Sequence, residues 1–174
     1  MIFIGVISKY PEFEVLRKNI RSCKNKNEIT LININKKSIE NLKNVKFDTI
    51  VLLDSLEELK DKNNNLQKMC TNLKYLIINS DIEIRTNTFS HIKANVITYG
   101  LNHISTVTFS SIADETMLIS VQRAFENYNK KNIEVGEYDV KVQKEERINL
   151  YEILLDFIIE KLYFWKIIIK MLTK

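Results

Sequence analysis

Glycine is nearly absent from this sequence: Gly5, Gly100 and Gly136 are the only three in 174 residues, and none is followed by lysine. That excludes a Gly-x-x-x-x-Gly-Lys-Ser/Thr loop, whose backbone N–H groups and lysine cradle phosphates. Cysteine is scarcer still. Cys23 and Cys70 are too few and too far apart for a disulfide framework or a zinc site, and read as ordinary reduced thiols. The two histidines, His91 and His103, have neither an i, i+4 spacing nor an acidic cluster beside them, so they read as surface residues. Ser110 and Ser111 lack the Gly-x-Ser-x-Gly elbow of a hydrolase nucleophile. No catalytic residue, no metal and no cofactor is expected. The run Met1-Ile2-Phe3-Ile4-Gly5-Val6-Ile7 has no basic residue ahead of it and no small-residue cleavage site behind it. It fails as a signal peptide, and a buried first strand in a cytoplasmic chain is the expectation.

What is present suits one ordinary domain. Hydrophobic residues make up 45% and charged residues 28%, which is enough to build a core and far from the composition of disorder. Twenty-six basic and 22 acidic residues leave a net charge of +4. Both signs are spread along the chain, which favours solubility and is no nucleic-acid footprint. The runs Lys24-Asn25-Lys26-Asn27 and Lys60-Asp61-Lys62-Asn63-Asn64-Asn65 read as loops without aromatics to stack bases, so no nucleic-acid partner is expected.

Five short apolar runs read as strands covered on both faces: Ile2 to Ile7, Ile29 to Ile34, Thr49 to Leu53, Tyr75 to Asn79 and Asn95 to Tyr99. Helical segments alternate with them, at Glu12 to Ser22 behind Pro11, at Ser38 to Leu42 and at Leu56 to Leu73. This alternation predicts right-handed βαβ crossovers over residues 1–100 and a mainly parallel sheet flanked by helices, a Rossmann-like α/β fold. Over 101–145 the pattern changes. Ser105 to Phe109, Thr116 to Val121 and Ile133 to Val142 follow one another without helices, predicting an antiparallel β extension.

A long C-terminal helix is predicted over 148–173. Asn149, Glu152, Asp156, Glu160, Lys166, Lys170 and Lys174 form one polar stripe and nearly everything else is apolar. Acids in its first half and lysines in its second follow the order the helix dipole favours. Charges recur through it, Lys161 among them, and no stretch of about 18 apolar residues exists, so it is not read as a spanning helix. Two expectations stand side by side: Phe157, Tyr163, Phe164, Trp165 and Leu172 form a homodimer or protein-partner interface, or the helix is buried whole within the monomer. Lysines flanking apolar residues leave a peripheral membrane contact as a weaker third reading.

From Phe47 onward, the order of elements resembles the central, ATP-binding domain of the Mur ligases, which add amino acids to peptidoglycan precursors. The pieces are Phe47-Asp48 running into apolar residues, Tyr75 to Asp81 with its Asn-x-Asp ending, Asn95 to Asn102 with its strand-Gly turn, the stretches Thr106-Val107-Thr108 and Ser110-Ser111-Ile112, and the helix start at Ile148 to Leu154. The departures are functional. Gly5-Val6-Ile7-Ser8-Lys9-Tyr10-Pro11 cannot form the family's phosphate loop, Asn33-Ile34-Asn35-Lys36-Lys37 stands where a metal-binding Glu-Ser-Ser would, and the amino-acid-binding domain has no counterpart. The resemblance thus implies a non-catalytic domain acting through binding or assembly near cell-envelope metabolism. The alternative is a small-molecule or nucleotide-binding domain using the crevice at the strand C-termini without a phosphate loop. Asn79, Asp81, Tyr99 and Asn102 are the candidate ligand-binding residues, because open α/β sheets bind ligands at strand C-termini and the resemblance turns Asn79 toward an adenine-like ring. Asn79 and Asp81 themselves read more readily as a strand-end turn. Asp54, Glu57 and Glu58 are read as the charged start of a helix rather than as an acid–base group.

Overall fold

The computed structural model describes residues 1–22, 29–55, 59, 61–82, 89, 92–113, 116–141 and 149–163. The chain packs as two compact units, Met1–Thr98 and Tyr99–Lys174. The fold is α/β, with a mainly parallel mixed sheet of eight strands flanked by helices, a small two-stranded antiparallel sheet and a C-terminal helix.

The first unit carries β1 (Ile2–Ile7), α1 (Tyr10–Ser22), β2 (Ile29–Ile34), α2 (Ile39–Leu42), β3 (Thr49–Leu52), α3 (Asn63–Met69), β4 (Tyr75–Asn79) and β5 (Asn95–Tyr99), the last reaching one residue into the second unit. β1 pairs in parallel with β2 on one side and β3 on the other, and β3 pairs in parallel with β4. The strand order 2-1-3-4-5 therefore reverses at β1: the chain moves outward to β2, then crosses back to the far side of β1. Side chains alternate across this sheet. Phe3 and Ile7 of β1, Ile50 and Leu52 of β3, and Leu76 and Ile78 of β4 point into a core with Ile39, Leu59, Leu66, Met69, Cys70 and Leu73 from the connections through α2 and α3. Ile4, Val6, Val51 and Ile77 face the other way and are fully buried, the side on which a right-handed crossover sets α1 with its buried Phe13, Leu16 and Ile20.

At the amino ends of these strands Asp48 is a clamp. Its backbone N–H donates to the Phe3 carbonyl (2.9 Å), its Oδ2 accepts the Phe3 N–H (3.1 Å), its carbonyl accepts the N–H groups of Lys74 and Tyr75, and its Oδ1 pairs with Lys74 Nζ (3.1 Å). The Phe-Asp pair is structural here, joining β1, β3 and β4 at the ends opposite those where ligands bind in such sheets.

The second unit carries β6 (Val107–Ile112), β7 (Thr116–Val121), β8 (Phe125–Glu126), β9 (Asn132–Ile133), β10 (Gly136–Lys141) and α4 (Leu150–Tyr163). β6–β7 and β7–β10 are antiparallel, while Tyr99 of β5 pairs in parallel with Val107 of β6. The extension is thus antiparallel except where it begins. A register shift between Phe109 and Ser111 bulges β6, and Ser110 Oγ at that point donates to the Leu118 carbonyl (3.3 Å).

The predicted strand over 133–142 is divided into β9 and β10, and the β8–β9 hairpin is added. Strands of two residues leave no periodicity to read; this one is closed by Asn127, whose Oδ1 accepts the N–H groups of Asn129 and Lys131 (both 2.9 Å). Of the helix predicted over 56–73, the described residues form an α-helix at Asn63–Met69, and Cys70 to Leu73 close it in tight turns. Val142, Ile148, Leu56 and residues 164–174 lie outside the described residues.

Within its described turns α4 is covered on most sides by its own chain: Leu154, Leu155, Phe157, Ile158, Ile159, Lys161 and Leu162 are all buried. Phe157 meets Tyr138 of β10 edge-on at 5.3 Å, and Tyr163 lies against Tyr128 at 5.7 Å. Phe164, Trp165 and Leu172 fall outside the described residues. Among the described residues no helix is long and apolar enough to cross a membrane.

Lys161, one of the recurring helix charges, is only 7% exposed. Its ammonium sits over the rings of Tyr138 (4.6 Å to the centroid) and Phe157 (5.2 Å), where the negative ring faces attract it. Burial nevertheless holds its pKa below the ordinary lysine value, with Glu160 pulling the other way. A lowered lysine pKa means the unfolded chain binds more protons between that value and about 10.5, so stability rises with pH through this window. Lys161→Met is expected to remove that rise and to stabilise the protein at neutral pH by about 1 kcal/mol, since an apolar side chain of similar length needs no hydration. Thermal melts of both proteins from pH 7 to 11 check it; a variant less stable than the parent throughout would refute it.

Candidate functional site

The strand order reverses between β1 and β3 at the carboxyl ends of the sheet, and the end of β2 lies on the other side of β1. β1 stops at Ile7 and the chain turns through Ser8 and Lys9 into α1; β2 stops at Ile34 and turns through residues 35–38 into α2. Parallel neighbours release both turns at the same end of the sheet. Ser8, Lys9, Tyr10, Asn35, Lys36 and Lys37 line a cleft of about 640 Å³ there, within the roughly 300–1,000 Å³ usual for small-molecule sites.

Short polar side chains shape both turns. Asn35 Oδ1 accepts the N–H groups of Lys37 (2.9 Å) and Ser38 (3.0 Å), while Ser38 Oγ accepts the Asn35 N–H (2.9 Å) and donates to the Asn33 carbonyl (3.0 Å). Asn33 ties this turn to the other one: its Oδ1 accepts from Asn35 Nδ2 (2.6 Å), and its Nδ2 donates to Ser8 Oγ (3.2 Å) and the Ser8 carbonyl (3.3 Å). Ser8 is thereby buried with its hydroxyl oxygen already accepting, which leaves its proton to donate.

The lining is electropositive. Lys9, Lys36 and Lys37 contribute three ammonium groups, and the last two enter no ion pair among the described residues. The first helical bond of α1 runs from the Phe13 N–H to the Lys9 carbonyl, so the N–H groups of Tyr10 and Glu12 head the helix without intrahelical partners and add the positive end of its dipole. On the β3 side, Leu53 N–H donates to the Ile7 carbonyl (3.0 Å), and Asp54 Oδ2 stands 3.4 Å from Lys9 Nζ.

The residues singled out from the sequence are not among those that line this cleft. Asn79 is buried at the end of β4 and its Oδ1 accepts the Asp81 N–H (3.0 Å), the geometry of a strand-end turn. Tyr99 is fully buried on β5. Asn102 organises the following loop, its Oδ1 accepting from the Ile104 N–H and from Ser105 Oγ (both 3.1 Å). Asp54 is not the start of a helix: it follows β3 in a bend and pairs with Lys9. Glu57, Glu58, His91 and Cys23 lie outside the described residues, and His103 and Ser111 are exposed. Cys70 is enclosed in the core, and burial pushes its thiol up to about 12, so it is no nucleophile at neutral pH. Among the described residues no group of three or more histidine, cysteine or acidic side chains is placed to hold a metal ion.

Sequence reading missed Ser8, Lys9, Tyr10, Asn35, Lys36 and Lys37. Their signal was available: each follows a parallel-type strand, and Lys36-Lys37 is a basic pair at such an end. The sheet and this cleft define a class, that of doubly wound α/β domains with an electropositive crevice at the carboxyl ends of the strands. Neither the protein-family models nor the curated protein sequences provide a match to the chain.

Proposed function

We propose that this chain is a non-catalytic, Mur-ligase-like binding domain that takes a small anionic molecule in the cleft at the carboxyl ends of β1 and β2. One observation carries the reading: three lysines and the head of α1 line a cleft of about 640 Å³ at the carboxyl ends of two neighbouring parallel strands. The lining supplies ammonium, hydroxyl and amide groups, which hold an anion by charge-assisted hydrogen bonds. By the family likeness, the turn after the first strand is where phosphates would be gripped; here Ser8 and Lys9 occupy it without a glycine-rich loop. The competing expectation, assembly through the terminal helix, has less behind it, since Phe157 is covered by its own chain.

Thermal-shift titration with inorganic phosphate, pyrophosphate, citrate and nucleotides tests the proposal. A ligand present at a hundred times its dissociation constant should stabilise the protein by about 2.7 kcal/mol. The doubly substituted Lys36→Glu, Lys37→Glu protein should keep the parent melting temperature, both side chains being exposed, and lose roughly tenfold or more in affinity per charge reversed. Absence of a shift with every anion refutes anion binding. ATP turnover that disappears on altering one of the chain's own side chains would refute the non-catalytic half.

A further inference from the structure

We infer that Asp54 sets the affinity of this cleft by competing with the bound anion for Lys9, an inference that rests on the anion-binding reading above. The geometry of the strand ends supports it. Lys9 leaves the turn after β1, on the boundary between the β2 side, where the cleft lies, and the β3 side, where Asp54 lies. Its ammonium stands 3.4 Å from Asp54 Oδ2, and its side chain is 65% exposed. The carboxylate is held in place by its own turn, since Asp54 Oδ1 accepts the Ser55 N–H at 2.7 Å. The aspartate is thus fixed while the lysine is a long, flexible and solvated arm, able to reach either partner.

Among the described residues Lys36 and Lys37 are not neutralised in this way, so there the lining has two uncompensated charges and one compensated charge. An anion entering the cleft must draw Lys9 away from Asp54 or bind without it. Exposed ion pairs are weak, and the exchange therefore costs little but measurably. Asp54 accordingly lowers the affinity of the site and makes it favour ligands with enough negative charge to win Lys9, such as a di- or trianion over a monoanion.

Isothermal titration of pyrophosphate and inorganic phosphate into four proteins at low salt distinguishes the outcomes. Those proteins are the parent, Asp54→Asn, Lys9→Gln and the double variant. Asn keeps the side-chain oxygen that accepts the Ser55 N–H, so the turn is retained. Asp54→Asn is expected to bind pyrophosphate about two- to fivefold more tightly than the parent, with the gain shrinking in the Lys9→Gln background and at high salt. Tighter binding that persists undiminished without Lys9 overturns the competition, as does unchanged or weaker binding in Asp54→Asn. If the parent binds neither anion, the anion-binding reading itself falls and takes this inference with it. If the parent binds and only the Asp54 effect is missing, that reading survives and the inference alone is lost.

Discussion

Truncating Phe47 to alanine is expected to destabilise the N-terminal unit by about 3–5 kcal/mol, the range for removing a fully packed ring from a core. Phe47 is 2% exposed and lies in the cluster that joins Ile7, Ile34, Ile39, Ile50 and Leu76 across four strands and α2. Its neighbours sit on sheet backbone whose ladder bonds fix their positions, so they close little of the space that is left. Calorimetry should record a fall in Tm on the order of 10 °C. A change of only a degree or two would mean that the ring is not held where the fold places it. Phe47→Leu, which keeps most of the volume, should recover the greater part of the loss.

A second large effect is expected at Gly5, in the middle of β1. A Cβ added there would come within 2.6 Å of Ile34 Cδ1 and 3.0–3.1 Å of the Phe47 ring, closer than packed carbons tolerate. Ile34 is completely buried and Phe47 nearly so, and neither can swing into open space. Gly5→Ala should therefore cost about 1–3 kcal/mol by overpacking, although alanine is the better strand residue in isolation. The two sites share one piece of volume, which gives a sharper check than either variant alone. In the Phe47→Ala background the new methyl group enters the cavity, so the double variant should be more stable than the sum of the two losses by at least about 0.5 kcal/mol. Strict additivity would show that Gly5 is needed for something other than space.

Much of the architecture was legible because it is written in short-range patterns. Ile2–Ile7, Ile29–Ile34, Tyr75–Asn79 and Asn95–Tyr99 are strands with the bounds their apolar runs predict, since a strand buried on both faces needs only a run of such residues. α1 begins two residues before its predicted start and contains Pro11 in its first turn, where the missing N–H has no partner to lose. The region between Asp54 and Leu73 read poorly. Its apolar residues are spaced for a helix, but Leu59 reaches the core from outside α3, and tertiary burial rather than local propensity decides where helix forms. Lys161 is one of the charges that speak against a spanning helix, and its burial was not legible in the sequence. Phe157 and Lys161 are neighbours at i, i+4 on α4, but Tyr138, the ring that completes the contact, lies more than twenty positions earlier.

The candidate site divides along the same line. That a cleft should be sought at strand C-termini followed from the βαβ pattern alone, because every parallel strand delivers its next turn to one end of the sheet. So did the lack of a phosphate loop, which is a matter of which residues follow glycine. Which of several strand ends holds the cleft depended on strand order, and order is set by long-range packing between segments whose local sequences look alike. β1 lies between β2 and β3, and so brings Lys9 beside Lys36 and Lys37 on one side and Asp54 on the other. Asn79 and Asn102, equally polar in sequence, are spent on their own turns. Periodicity and composition act between neighbours along the chain and determined the elements; a site is made of residues that meet only when the chain crosses itself, and the tertiary structure alone decided where that happens.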